Sequence, residues 1–258
     1  MRPILFNIFG LNVYGYGAMI AIGIIAAVML LSYRARKAHY DEDSILNMAI
    51  LAVILGVAGG KLLYIITEFK SIINYPEQLK DFGSGFVVYG SIIGGALGVY
   101  IYCRKKGWRI LKIFDLVIPS LPLAQAFGRI GCFLAGCCYG RPTNYFIGVK
   151  FKEGSLGPVD TCVYPTQIFS SVFDFALAIF LLWYAKKERK DGRIFSLYLI
   201  LYSIGRFIIE FIRDDPRGSV GVLSTSQFIS IFIVFIGILM FNIDKFKGIF
   251  KTGKAKQM

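Results

Sequence analysis

Tyr202, Arg206, Glu210 and Arg213 in "YSIGRFIIEFIR" are spaced by four, four and three residues, the intervals at which side chains share one face of a helix. Phe207, Ile208, Ile209, Phe211 and Ile212 fill most of the positions between them, so this polar stripe belongs to an otherwise apolar helix. A further cation, Arg129, stands in "GRIGCFLAGCCYGRPTN" behind the apolar stretch "LVIPSLPLAQAF", and Lys61 interrupts a third run in "GGKLLY". A charge at the centre of a bilayer costs about 2.5–3.5 kcal/mol on insertion scales, so such residues face a bundle interior and mark functional sites. One reading of the stripe is an Arg206–Glu210 pair that neutralises itself. The other starts from its two arginines for one glutamate. An excess guanidinium facing a cavity suits an anion, and its planar fork matches phosphate oxygens. Arg129 reads either as a second phosphate ligand or as a side chain snorkelling to the interface.

Other polar residues sit at the ends of apolar runs. Tyr16, Tyr64 and Tyr89 are candidates for lining the same cavity, as is Gln167 behind Pro165. Taken singly, each also fits an interfacial aromatic or a helix cap. Gly94 and Gly98 in "YGSIIGGALG" have the small-xxx-small spacing of close helix packing. Cys132, Cys137, Cys138 and Cys162 cluster around one loop, while Cys103 lies elsewhere. They read as structural thiols in a tight turn, or as a disulfide joining Cys162 to the other three. C-x4-C-C matches no standard zinc spacing, and the only histidine, His39, falls at the opposite membrane face. No metal is expected.

The elements that must carry these residues are membrane helices. The 258 residues are 56% hydrophobic and 17% charged, against about 25% charged in a soluble domain. Mean hydropathy is +0.62. The net charge of +13 does not point to nucleic acid, because the basic residues form short blocks between apolar runs. Seven such runs, each near the ~20 residues that cross a bilayer, lie at 14–32, 46–66, 86–103, 114–133, 166–184, 194–212 and 224–243. Pro119 and Pro122 interrupt the fourth. The blocks at 33–45, 104–113 and 185–193 and the tail hold three, five, five and five Lys and Arg, 18 of the 29 in the chain. The positive-inside rule then gives an all-α polytopic protein with seven transmembrane helices, its N-terminus outside and its C-terminus cytoplasmic. "MRPILFNIFGLNVYGYG" lacks a small-residue cleavage site, so the first span is expected to be retained. The chain reads as a single integral membrane domain over 1–258, with an extracytoplasmic segment at about 134–165. Spans four and six both run outward, placing Arg129 and the Arg206–Arg213 stripe in the outer half.

These motifs, taken together and in order, resemble the prolipoprotein diacylglyceryl transferases of bacterial inner membranes. "GRIGCFLAGCCYGR" is similar to their signature, "YPTQIF" to their His-Pro-Ser/Thr-Gln-Leu-Tyr segment, and "YSIGRFIIEFIR" to their Tyr-x3-Arg-x3-Glu-x2-Arg helix. "YGAM", "GGKLLY" and "LSTSQFIS" fall in the family's order. Those enzymes move the diacylglyceryl group of phosphatidylglycerol onto the lipobox cysteine of prolipoproteins, releasing glycerol phosphate. The resemblance implies that Arg129 and Arg206 bind the headgroup and that Glu210 orients an arginine. It places Tyr16, Lys61, Tyr64, Gly140, Gln167, Tyr202 and Arg213 around the substrate. Its partners would be phosphatidylglycerol, prolipoprotein signal peptides and membrane lipids, with no cofactor, at the bacterial inner (plasma) membrane. The chain departs from the family pattern at Tyr89 and Tyr164, where histidines stand, at Cys132 for Asn, at Cys137 and Ser170 for Glu, and at Lys61 for Arg. Tyr89 and Glu210 are then left to take a proton. Competing readings are a paralogue with another acceptor, a non-catalytic phospholipid-binding protein, or a small transporter, although the two halves show no repeat.

Overall fold

The computed structural model describes residues 4–8, 11–75, 77, 85–215 and 218–243. In chain order the helices are α1 (Gly15–Lys37), α2 (Glu42–Thr67), the short α3 (Phe69–Asn74), α4 (Val88–Lys106), α5 (Ile110–Val117), α6 (Ser120–Ala135), α7 (Thr166–Tyr184), α8 (Arg193–Glu210) and α9 (Thr225–Phe241). Each of the seven apolar runs is covered by helix, the fourth by α5 and α6 together. Among the described residues, four stretches are long and apolar enough to cross a membrane: Gly15–Lys37, Glu42–Thr67, Ile110–Ala135 and Thr166–Tyr184. Thr225–Phe241 is a shorter apolar helix. α8 is excluded by Arg193, Arg206 and Glu210, and α4 is diluted by glycines and by Arg104, Lys105 and Lys106 in its last turn. The protein is a helical membrane protein.

Short strands accompany the helices of this all-helical fold. Two antiparallel hairpins are present, β1 (Ile4–Ile8) with β2 (Leu11–Tyr14) and β3 (Ser219–Val220) with β4 (Leu223–Ser224). The second closes over Gly221 at φ +61°, the positive φ that two-residue hairpin turns demand. Both are too short to register as periodic strands against their apolar surroundings.

Local signals set the helix ends. Asp41 caps α2 by accepting from the Ser44 N–H at 2.9 Å, and Ser224 with Gln227 forms a capping box on α9, each worth about 1 kcal/mol. The fourth run breaks at Ile118 and Pro119 and resumes as α6, with Pro122 in its first turn, where no intrahelical N–H is required.

The chain divides into two compact units, Leu30–Leu116 and the remainder, Met1–Met29 with Val117–Met258. In the 30–116 unit α2 packs on α4. A Cβ at Gly94 would collide with the Leu55 carbonyl, and one at Gly59 with the Gly90 carbonyl, so these backbones approach as closely as glycine allows. Arg34 donates to the Leu116 carbonyl at 2.6 Å in the same unit. In the other unit α6 packs on α7, α7 on α8 and α8 on α9, around a core of Ile118, Leu177, Leu181, Ile194 and Tyr198.

Candidate active site

Three helices of the larger unit enclose a cavity of about 200 Å³. α6 contributes Arg129, α7 contributes Phe169, Ser170, Phe173 and Asp174, and α8 contributes Tyr202, Gly205, Arg206, Ile208 and Ile209. The i,i+4 spacing puts Tyr202 and Arg206 on one face of α8. Tyr202 stacks on Tyr198 with ring centroids 5.3 Å apart, and the Tyr198 hydroxyl donates to Gln125 Oε1 at 3.1 Å.

Arg206 is held on two sides. Its Nη1 lies 2.9 Å from Glu210 Oε2, and its Nη2 donates to the Ser226 hydroxyl at 3.0 Å. The α9 capping box places Ser226 in the first turn of that helix. The Glu210 side chain is 1% exposed, so the pair is buried. Breaking one partner of such a pair costs about 3–5 kcal/mol. Arg213 is placed differently. Its Nε and Nη2 form a fork on Asp215 at 2.9 and 2.8 Å, and its Nη1 stands 3.9 Å from Glu210.

Asp174 is a residue that sequence reasoning missed. It sits in α7, 2% exposed, lining the cavity with Arg129 and Arg206. Its signal was a lone acid inside "SSVFDFALAIF", the same criterion that singled out Arg129. With Asp174 and Glu210 facing two arginines and Asp215 taking the third, the cation excess read from α8 alone does not persist in the folded site. What persists is two guanidiniums converging on one cavity with a carboxylate between helices. Ser226 was the second omission, legible only as part of a capping box.

The remaining candidates fall into three groups. α1 crosses α6 where a Cβ on Gly131 would meet the Tyr16 backbone oxygen at 3.1 Å, and Tyr16 lies within electrostatic reach of Arg129 and the neighbouring thiols. Gln167 and Gly140 position the loop after α6. Gln167, 0% exposed, donates from Nε2 to the Cys137 carbonyl at 2.7 Å. The Gly140 N–H donates to the Tyr164 carbonyl at 2.9 Å, and a Cβ there would press on Tyr164, Thr166 and the Ile212 carbonyl. Lys61, Tyr64 and Tyr89 belong to the 30–116 unit. There the Lys61 ammonium sits 5.5 Å from the Tyr64 ring centroid and 5.3 Å from that of Phe86, while Tyr89 is half-buried in the first turn of α4.

The cysteines are free, so no disulfide joins Cys162 to the others. The sulfurs of Cys132, Cys137 and Cys138 lie within 4.8 Å of one another, a convergence that their spacing did not suggest. Cys138, beyond the end of α6, is held well below the ordinary thiol range by hydrogen bonds from Cys132 and Cys137, with Arg213 and Arg129 adding to the effect.

Residues 3–243 match the family model described as prolipoprotein diacylglyceryl transferase. The chain is 62% identical to the phosphatidylglycerol–prolipoprotein diacylglyceryl transferase of Clostridium tetani, over 96% of this chain and 99% of that protein. It is 56% identical to the second such transferase of Clostridium perfringens, over 98% and 100%. Against the transferase of Clostridioides difficile identity is 35%, over 93% and 94%. With a match over nearly its whole length and Arg129, Arg206 and Tyr202 gathered at one cavity, the chain belongs to the prolipoprotein diacylglyceryl transferase family.

Proposed function

We propose that this protein transfers the diacylglyceryl group of phosphatidylglycerol to the lipobox cysteine of prolipoproteins, at the outer leaflet of a bacterial inner membrane. The relatives carry that activity in their names. The observation that carries the reading here is the cavity itself, two arginines and Tyr202 against a wall of Phe169, Phe173, Ile208 and Ile209. At about 200 Å³ it is smaller than the ~300–1,000 Å³ of pockets for drug-sized ligands. It suits a phosphoglycerol headgroup, leaving the acyl chains in the bilayer.

In the reaction a thiolate sulfur bonds to a glycerol carbon while the carbon–oxygen bond to phosphate breaks, and the electron pair leaves on glycerol phosphate. The developing charge is on phosphate oxygen, so catalysis requires donors fixed where that charge appears. Arg206, clamped by Glu210 and Ser226, is preorganised for that task. Arg129 approaches from α6. Seven spans, with the N-terminus outside, put this cavity in the outer half of the membrane, where the acceptor cysteine of an exported precursor is found.

The test is direct. Purified protein is incubated with phosphatidylglycerol and a lipobox peptide, and the peptide mass is followed. A gain of one diacylglyceryl group on cysteine is expected; an unmodified peptide, with protein folded, overturns the reading.

A further inference from the structure

Three thiols meet just beyond Arg129 in the chain, at a turn that brings them together. α6 supplies Cys132. Gly136 then takes φ +83°, and the N–H groups of Gly136 and Cys137 return to the Cys132 carbonyl at 2.9 and 3.2 Å. Cys138 follows at φ +65°, a left-handed conformation that costs a residue with a Cβ about 1–2 kcal/mol. Two buried side chains from α7 hold that strained turn. Thr166 Oγ1 donates to the Cys138 carbonyl at 2.6 Å, and Gln167 Nε2 donates to the Cys137 carbonyl at 2.7 Å. Backbone strain is stored where a side chain must be aimed, and the result of the aim is three sulfurs within 4.8 Å of one another.

That spacing has a chemical reading. A tetrahedral ion bonded to sulfur at about 2.3 Å holds its sulfurs about 3.8 Å apart, so small rotations of the three side chains suffice to close on it. Thiolate donors select zinc and other thiophilic ions over magnesium or calcium. Arg129 and Arg213 lie within electrostatic reach of Cys138, so the single negative charge that three thiolates around a divalent ion leave over would sit beside cationic side chains. No His or carboxylate among the described residues joins the group. Three protein ligands and an open fourth position are the pattern of reactive rather than closed zinc sites.

We propose that Cys132, Cys137 and Cys138 form a three-thiolate site for a thiophilic divalent ion of the zinc class, open at its fourth position to an incoming thiol. The metal site stands on geometry alone. The fourth ligand rests on the transferase reading, which supplies a cysteine acceptor. On binding, the acceptor's S–H yields its proton to solvent as the sulfur–metal bond forms. That sulfur then makes the C–S bond while the glycerol C–O bond breaks and glycerol phosphate leaves with the electron pair. The neutral thioether, a weak ligand, dissociates as its sulfur–metal bond breaks, and the fourth position reopens.

The experiment uses full-length protein in detergent, kept reduced, stripped with a chelator and dialysed against Zn²⁺ or Co²⁺. One tightly held ion per chain is expected, with a sulfur-to-metal charge-transfer band for Co²⁺. Cys132→Ser, Cys137→Ser and Cys138→Ser should each weaken binding by at least about tenfold, and Cys103→Ser should not. Because a serine variant can fail to fold, Zn²⁺ protection from alkylation is mapped on the unaltered protein, where Cys132, Cys137 and Cys138 are expected to be shielded together. Absence of a stoichiometric ion, or equal alkylation with and without Zn²⁺, overturns the site. A lipobox peptide should shift the Co²⁺ spectrum and its serine counterpart should not; an unchanged spectrum overturns the fourth-ligand assignment. A shifted spectrum with no diacylglyceryl on the peptide would overturn the transferase reading and leave the metal site standing.

Discussion

Glu210 and Ser226 hold the Arg206 guanidinium on two sides, at 2.9 and 3.0 Å, so its orientation toward the cavity is fixed before any lipid arrives. Lysine at that position keeps the charge and loses the fork. Arg206→Lys and Arg129→Lys are each expected to lower diacylglyceryl transfer by about 10²–10³-fold, roughly 3–4 kcal/mol of transition-state stabilisation, measured as kcat/KM. A purely structural pair predicts another outcome, since buried ion pairs are often replaced by apolar residues without loss of stability. Arg206→Met with Glu210→Leu is therefore expected to fold and insert yet transfer no lipid; retained transfer would remove the clamp. On the proposed mechanism Asp174 acts in the opposite sense, because it lines the cavity assigned to the phosphate. Asp174→Asn should lower the KM for phosphatidylglycerol about fivefold, on the order of 1 kcal/mol for one like-charge interaction across a hydrated site. An unchanged KM would show that the charge of Asp174 is balanced by the arginines and is not felt by the lipid.

At the scale of elements, the glycine contact between α2 and α4 offers a test within a single turn of helix. A Cβ on Gly94 runs into the Leu55 carbonyl, whereas one on the adjacent Gly95 meets its nearest atom, the Ala52 oxygen, at 3.5 Å. Gly94→Ala is expected to destabilise the 30–116 unit by about 1–3 kcal/mol, as overpacking does, and Gly95→Ala to be neutral, read from thermal midpoints in detergent. This contact was legible in the sequence because small-xxx-small spacing is local; so was the break at Pro119, which needs only one residue to explain it. Arg206 with Glu210 was legible for the same reason, being one turn apart. The thiol site was not. Its assembly depends on Cys138 adopting a positive φ and on Thr166, 28 residues beyond Cys138, and Gln167, 30 residues beyond Cys137, and no spacing rule encodes either. The Arg213–Asp215 fork was hidden differently, since helical periodicity directs attention to i+3 and i+4 while this pair closes at i+2, beyond the last turn of α8.

For the whole molecule, two topologies compete, and they differ in where each loop must lie. Counting only the helices that qualify by length and composition gives four crossings. With the N-terminus outside, Lys106 would then be external, Thr143 cytoplasmic and Lys190 external. Seven crossings reverse all three. The proposal of seven rests on the basic residues: the blocks at 104–113 and 185–193 each carry five Lys and Arg, and short loops so charged tend to stay in the cytoplasm. The objection to α8 as a span is its three charged residues. It weakens once Arg206 and Glu210 are paired at 2.9 Å and Arg193 stands in the first residue of the helix, its guanidinium 4.4 Å from the Phe241 ring centroid. A neutralised pair packed against α9 costs far less to insert than two free charges. Reporters fused after Lys37, Lys106 and Lys190 are accordingly expected to read cytoplasm, and those near Thr143 and Gly218 the outside. Of these, Thr143 bears most directly on function. It lies in the loop that follows Arg129 and the three thiols, so a cytoplasmic reading there would turn the cavity away from exported precursors and remove the transferase mechanism proposed for it.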